Sequence, residues 1–175
     1  GINAARLTPR DGRYPPHTAH RHLAGTQVPL PGLRLPMIEA AGGWLGSAVD
    51  MARFLTNLEG TRGKPVLGEK ARAWMFEAPP APLKPRENGT YFGLGWDAVF
   101  PEGKSVGFFK DGSYQGIRTY MKSLPNGVCW ALLFNASMEI DGVDTHLAAT
   151  AVQDVRQQIE SLKKHPDLDL FKDFA

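Results

Sequence analysis

The sequence contains a single cysteine, Cys129, among its 175 residues. One cysteine cannot form an intramolecular disulfide, and its position inside the apolar run VCWALLF predicts a buried, unreactive thiol. No stretch approaches the ~18 apolar residues that a membrane-spanning helix requires. The charges nearly cancel, since 20 Lys and Arg oppose 18 Asp and Glu, and the basic residues are scattered. These features exclude a disulfide scaffold and predict no nucleic-acid partner.

Proline is concentrated near the start, and its distribution helps to divide the chain. Closely spaced prolines forbid a continuous helix or a central strand, so the first part is predicted to be extended. A chain of this length can bury roughly 70% of its unfolded surface, enough for one core. We therefore expect one folded unit, residues 1–175. Its parts are an extended segment (1–43), a helical region (44–78), antiparallel strands (90–137) and a C-terminal helix (144–164).

Three histidines in the extended segment raise the question of a metal site. His17, His20 and His22 lie close together, but without cysteine or acidic companions. Zinc sites in proteins combine histidine with such ligands at regular spacing. The pattern favours a solvated loop, and no metal ligand is predicted.

The clearest helix signal begins at Ser47. Ser47 and Asp50 fit a capping box, in which the side chain of each residue accepts a hydrogen bond from the backbone N–H of the other. Apolar residues follow on one face at three- and four-residue spacing: Ala48, Met51, Ala52, Leu55 and Leu58. A shorter helix is predicted over residues 68–76, and an apolar stripe from Val143 to Leu162 predicts the C-terminal one.

From residue 90 onward the pattern changes to strands. Four runs rich in aromatic and β-branched residues are TYFGLGWDAVF, KSVGFFK, IRTYMKSL and VCWALLFN. They are separated by PEG, DGSYQG and PNG, which are turn-forming sequences. Short links between successive strands predict an antiparallel β-sheet meander with packed helices, an α+β fold. Because VCWALLF is apolar almost throughout, we expect it to be covered on both faces.

The stretch FFKDGSYQGIRTYMKSLPNGVCWALLFNAS carries a specific resemblance. It resembles a block of the serine β-lactamase and penicillin-binding-protein family (class C β-lactamases, DD-peptidases and esterases). The block has Lys-Thr-Gly or His-x-Gly, a glycine, P-x-x-G and a strand ending in Asn. AAGGWLGSAVDMARFL and YFGLGW resemble two further blocks of that family, in the same order. The resemblance implies the C-terminal part of a β-lactamase/transpeptidase-like fold.

The resemblance also implies roles for individual residues. The Ser113 N–H would be one donor of an oxyanion hole, and Lys110 would supply positive potential beside a nucleophilic serine. Gly112 would allow close approach of a substrate, and Asn135 would bind a polar group of it near the same edge. We expect Lys110, Gly112 and Ser113 to form a turn at an exposed sheet edge, with Lys110 not buried in an ion pair. No metal or organic cofactor is implied.

Two departures from the family pattern bear on the activity. Asp111 stands where the family often has a threonine that binds a substrate carboxylate. If Asp111 points into the site, its carboxylate would repel a substrate carboxylate, which favours a neutral ester or an amine-bearing substrate over a β-lactam. The family's Ser-x-x-Lys nucleophile motif is matched only from Ser161 to Lys164, at the end of the C-terminal helix, which we interpret as coincidence. Tyr-x-Asn and Ser-x-Asn are not found. We therefore expect the catalytic serine to lie outside this sequence and the chain alone to be inactive.

Two hypotheses follow for the function. In the first, the parent protein is a serine hydrolase that acts on an ester, a β-lactam or a D-alanyl peptide, in the periplasm or outside the cell as in the family. In the second, the chain is a non-catalytic binding or interaction module on the same scaffold. Either way the strand 128–135 would lack a neighbour, so we expect a homodimer or a missing N-terminal half to pair along it.

Overall fold

The structure is a computed structural model. It describes residues 6–7, 21–23, 26–28, 39–60, 65–114, 117–135, 153–154 and 157–158. Four short strands and a short helix come first: β1 (Arg6–Leu7), β2 (Arg21–Leu23), β3 (Thr26–Val28), α1 (Glu39–Gly42) and β4 (Trp44–Leu45). Antiparallel pairing joins β1 to β4 and β2 to β3. The larger helices are α2 (Ala48–Glu59) and α3 (Glu69–Met75).

A five-stranded antiparallel sheet follows the helices, as the strand pattern predicts. Its strands are β5 (Tyr91–Gly93), β6 (Trp96–Glu102), β7 (Ser105–Tyr114), β8 (Ile117–Ser123) and β9 (Cys129–Phe134). Their order in the sheet is the order in the chain, so the meander is confirmed. With its packed helices, the molecule has the predicted α+β fold.

Two strand boundaries differ from the prediction. The run TYFGLGWDAVF forms two strands, β5 and β6, because Gly95 takes a left-handed φ of 83° and reverses the chain between them. The stretch predicted as a turn at DGSYQG is mostly strand, since β7 continues to Tyr114 and pairs with β8 over that length. Cross-strand pairing thus extends further than the turn-forming residues indicate.

Helix α2 begins where the sequence predicts, directly after Ser47. The Asp50 N–H donates to Ser47 Oγ at 3.1 Å, and the Asp50 carboxylate accepts from the Ser47 N–H, which completes the capping box. Gly60 closes the helix with a φ of 71° and donates to carbonyls of the last turn. The buried apolar residues of α2 are Ala52, Leu55 and Leu58.

The hydrophobic core lies between these helices and the sheet. Its buried members are Leu55, Leu58, Tyr91, Trp96, Val99 and Phe108. The Phe108 ring is fully buried, with ring centroids of Trp96 at 4.5 Å and Phe76 at 4.6 Å. Tyr91 Oη donates to the Phe76 carbonyl at 2.7 Å, which ties β5 to the end of α3. The first end of β7 is therefore anchored by aromatic packing at Phe108.

A polar cluster joins the end of α2 to the sheet. The Glu59 carboxylate accepts hydrogen bonds from the buried Ser123 hydroxyl and from the Cys129 thiol, the latter at 3.6 Å. Burial raises the pKa of Cys129 to about 12, with a further contribution from the negative charge of Glu59. A thiol with so high a pKa is a poor nucleophile, which agrees with the predicted unreactive cysteine.

Strand β9 is less buried than its sequence predicts. Trp130 is buried, but Leu133 is 40% exposed, so the prediction of cover on both faces is wrong there. Among the described residues β9 pairs only with β8, and pairing with a second chain or an N-terminal strand stays a prediction. Residues 153–154 and 157–158 are helical; the rest of the predicted C-terminal helix lies outside the described residues. No helix in the described part is long and apolar enough to cross a membrane.

Candidate active site

The two ends of β7 have different neighbours. On one side β7 pairs with β8 from Phe108, opposite Ser123, to Tyr114, opposite Ile117. On the other side the register with β6 stops at Phe109, which lies opposite Ala98. Among the described residues, no strand pairs with residues 110–114 on that side. We call residues 110–114 the open segment of β7.

Asp97 lies where the ladder between β6 and β7 ends. One carboxylate oxygen accepts from Lys110 Nζ at 2.7 Å, and the other accepts from the Asp111 N–H at 2.9 Å. Burial alone would raise the pKa of Asp97, but the hydrogen bond from the Asp111 N–H and the Lys110 ammonium group outweigh it, and the pKa is lowered from its ordinary value. Asp97 is therefore ionised at neutral pH.

The direction of the Ser113 N–H follows from the contact made by Asp111. In an extended strand, backbone N–H groups of residues i and i+2 point to the same side. Because the Asp111 N–H points away from β8 to Asp97, the Ser113 N–H also points away from β8. Ser113 is exposed. A donor in that position can bind an oxygen that approaches the open segment.

Asp111 is paired with a cation from the neighbouring strand. Its carboxylate accepts from Arg118 Nη2 at 2.8 Å, and the Arg118 guanidinium lies over the Tyr120 ring, 4.7 Å from the centroid. The same guanidinium donates to Tyr120 Oη at 2.7 Å. The negative charge of Asp111 is thus compensated locally, which weakens the repulsion expected for an anionic substrate.

The remaining predicted site residues share one end of the sheet. Gly112 is half-buried and lies opposite Thr119, whose hydroxyl lies 2.8 Å from the position that a Cβ at Gly112 would take. Asn135 directly follows β9 and is exposed. Phe134 lies opposite Arg118, and Arg118 lies opposite Ser113, so Asn135 is at the Ser113 end of the sheet. Two strand spacings, about 10 Å, separate it from the open segment.

One expectation about this segment needs correction, and the other needs a qualification about the partner of Lys110. Lys110, Gly112 and Ser113 lie in a strand and not in a turn, because β8 pairs with all three. Lys110 forms an ion pair with Asp97, although its side chain is 44% exposed. Lys110 therefore lies at the surface but is not free of a partner.

Asp97 and Arg118 were not predicted, although the sequence contains a signal for both. The hairpin between β6 and β7 turns at residues 103–104, and counting back along both strands places Asp97 opposite Lys110. The same count across the next hairpin places Arg118 opposite Ser113. Asp97 then lies opposite the Lys110 cation, and Arg118 lies diagonally across the ladder from the Asp111 carboxylate. In each case charges of opposite sign come within reach of each other.

A cavity of about 500 Å³ lies away from these residues, between α3 and the start of β7. Leu67, Phe76 and Val106 contribute to its lining, and none of the predicted site residues does. Its walls are mainly apolar. In the described part of the chain, no group of three His, Cys, Asp or Glu side chains is placed to hold a metal ion.

Comparison with known families assigns the chain to one of them. The profile of the family described as Beta-lactamase matches residues 1–153. The chain belongs to this family. The match covers the open segment, Asp97 and Asn135, so the scaffold is that of a serine hydrolase of the β-lactamase type. Neither a curated protein nor a solved structure gives a significant match.

Proposed function

We propose that the chain forms one wall of the substrate cleft of a serine hydrolase in the β-lactamase family. The observation that carries this proposal is the open segment of β7, where the Ser113 N–H points away from β8 and no described strand covers it. A donor fixed in a strand needs no reorganisation as negative charge develops on an acyl oxygen. Such donors are worth about 10²–10³ in kcat.

The nucleophile of this enzyme would come from a Ser-x-x-Lys segment outside the present sequence. Lys110 would then lie beside that serine and raise the local positive potential. Ser161 matches the motif only by its spacing from Lys164 and lies outside the described residues. The 175-residue chain by itself should therefore show no turnover.

The charges around the open segment favour a neutral acyl substrate. Lys110 of the open segment and Arg118 on β8 already have carboxylate partners, at 2.7 and 2.8 Å. A substrate carboxylate would have to compete with Asp97 and Asp111 for them, and displacing a fixed partner costs affinity. We therefore place a neutral ester first among the substrates, ahead of a β-lactam or a D-alanyl peptide.

Hydrolysis of two chromogenic substrates tests this proposal. The chain would be compared with a version extended by its own upstream coding sequence, using a p-nitrophenyl ester and a chromogenic cephalosporin. We expect the extended form to hydrolyse the ester, and the cephalosporin more weakly, and we expect the 175-residue chain to hydrolyse neither. Ser113→Pro, which removes the N–H, should lower kcat about 10²-fold, and Ser113→Ala, which keeps it, should not.

Two results would contradict the proposal. One is an extended chain that contains Ser-x-x-Lys and still hydrolyses neither substrate. The other is full activity in Ser113→Pro. Turnover by the 175-residue chain that Ser161→Ala abolishes would assign the nucleophile to Ser161 instead.

A non-catalytic binding module is the second candidate. One observation favours it: the Lys110 ammonium group is already held by Asp97 at 2.7 Å. A module would bind an acyl peptide at the open segment without acylation. Absence of both Ser-x-x-Lys and Tyr-x-Asn from the upstream coding sequence, together with binding of a D-alanyl peptide by calorimetry, would select this alternative.

A further inference from the structure

We propose that Asp97 is a positioning residue, which ends the β6–β7 ladder and presents Lys110 and the Ser113 N–H to the cleft; its effect on catalysis rests on the proposed function. Nothing in the family resemblance assigns a role to this residue. The inference depends on how its two oxygens are used.

The Asp97 carboxylate replaces the next backbone acceptor of the ladder. The register between β6 and β7 runs from Glu102 opposite Ser105 to Ala98 opposite Phe109. One step further, the chain before β6 turns away at Gly95, which has a φ of 83°. The Asp111 N–H would then lack a partner, and it donates to Asp97 Oδ2 at 2.9 Å instead.

This replacement fixes where the open segment begins. Since the Asp111 N–H is occupied, the next N–H on the same side of β7 belongs to Ser113. That group is the predicted oxyanion donor. Without the side chain of Asp97, the Asp111 N–H would lose its acceptor, and neither it nor the Ser113 N–H would have a described partner on that side. The position of residues 111–113 would then be less well defined.

The second oxygen of Asp97 holds the ammonium group of Lys110. A lysine side chain is flexible, and a charged partner at 2.7 Å restricts its position. Asp97 is itself held through its backbone, because Arg86 Nη2 donates to the Asp97 carbonyl at 3.1 Å. The charged groups shown to contact Asp97 are therefore Lys110 at its carboxylate and Arg86 at its carbonyl.

Two substitutions separate the two contacts. Asp97→Asn keeps a side-chain oxygen that can accept from the Asp111 N–H, but it loses the charge that holds Lys110. Asp97→Ala loses both. Glu102→Gln is a matched control, because Glu102 is exposed, lies in the same strand and is at the far end of its register.

The experiment measures backbone amide exchange and the Lys110 side-chain ¹⁵N resonance by NMR in the 175-residue chain, so it needs no turnover. In Asp97→Ala we expect the Asp111 amide to exchange at least about tenfold faster, with shifts of the Ser113 amide and of Lys110. Asp97→Asn should restore the Asp111 amide but not the Lys110 resonance. Glu102→Gln should change none of them.

The inference is overturned if the Asp111 amide exchanges at the native rate in Asp97→Ala, or if Lys110 and Ser113 do not respond. Should Asp97→Ala fail to fold, the Lys110 response in Asp97→Asn decides. A native NMR pattern that depends on Asp97, in an extended protein without ester hydrolysis, would overturn the proposed function and leave the positioning role intact.

Discussion

The two ends of β7 are built from one continuous strand but have different environments. The first end pairs with β6 from Ser105 to Phe109, is joined by β8 from Phe108 onward, and places the Phe108 ring in the core. The second end, the open segment 110–114, keeps β8 on one side only and carries Lys110, Asp111 and Ser113. The comparison shows how the fold makes a site: packing fixes the strand at one end, and the fixed strand then presents backbone donors at the other.

The strongest test of this comparison removes the anchor at the packed end. Phe108→Ala deletes a fully buried ring that contacts Trp96 and Phe76. We expect a loss of about 3–5 kcal/mol in the free energy of unfolding, measured by urea denaturation. Phe92→Ala is the matched control, because that ring is 64% exposed and should cost well under half as much. Equal losses for the two variants would contradict the proposed anchoring role.

Proline substitutions at adjacent positions test which side of the open segment is free. The Ser113 N–H points away from β8, so the Gly112 N–H, one residue earlier, points toward Thr119 on β8. Proline is accepted where the N–H has no strand partner. Gly112→Pro should therefore cost about 1–3 kcal/mol, and Ser113→Pro should cost much less.

The readout for this pair is the urea midpoint at constant m-value. The reverse order, with Ser113→Pro the more damaging variant, would mean that a partner covers the edge where the open segment is proposed. Loss of ester turnover in Ser113→Pro at unchanged stability would sharpen the assignment of the donor.

The sequence predicted the helices and strands better than it predicted which residues pair across neighbouring strands. The capping box of α2, the short helix α3 and the meander are local patterns, and all were found. The length of β7 was not predicted, because DGSYQG has turn-forming residues that pairing with β8 holds in a strand. The partners Asp97 and Arg118 were missed for a related reason, since they depend on cross-strand register.

Two glycines in β7 give a smaller test of the same difference. A Cβ at Gly107 would overlap the Phe100 ring, whereas a Cβ at Gly112 would meet only the Thr119 hydroxyl, at 2.8 Å. A hydroxyl can rotate away more easily than an aromatic ring packed on the strand. We expect Gly107→Ala to cost about 1–3 kcal/mol and Gly112→Ala less, by thermal or urea unfolding. Similar costs would indicate that the open segment is packed as tightly as the first end.

The smallest predicted effect is the pH dependence contributed by Asp97. Its pKa is lower in the folded chain than its ordinary value, although burial opposes this, because the Asp111 N–H and Lys110 stabilise the charged form. A lowered carboxyl pKa adds stability that is fully present above the unfolded pKa of about 4 and is lost as the pH falls through the folded pKa. The Asp97 and Lys110 side chains are 29% and 44% exposed, so solvent screening should limit the contribution to below about 1 kcal/mol.

The gap in unfolding free energy between the native chain and Asp97→Asn should therefore be constant from about pH 6 to 8 and should narrow below about pH 4. Lys110→Met should remove part of that dependence, since it removes one of the two groups that lower the pKa. A gap that stays constant down to pH 3 would mean that folding does not lower the pKa of Asp97, which would contradict the contacts of its carboxylate with Lys110 and the Asp111 N–H.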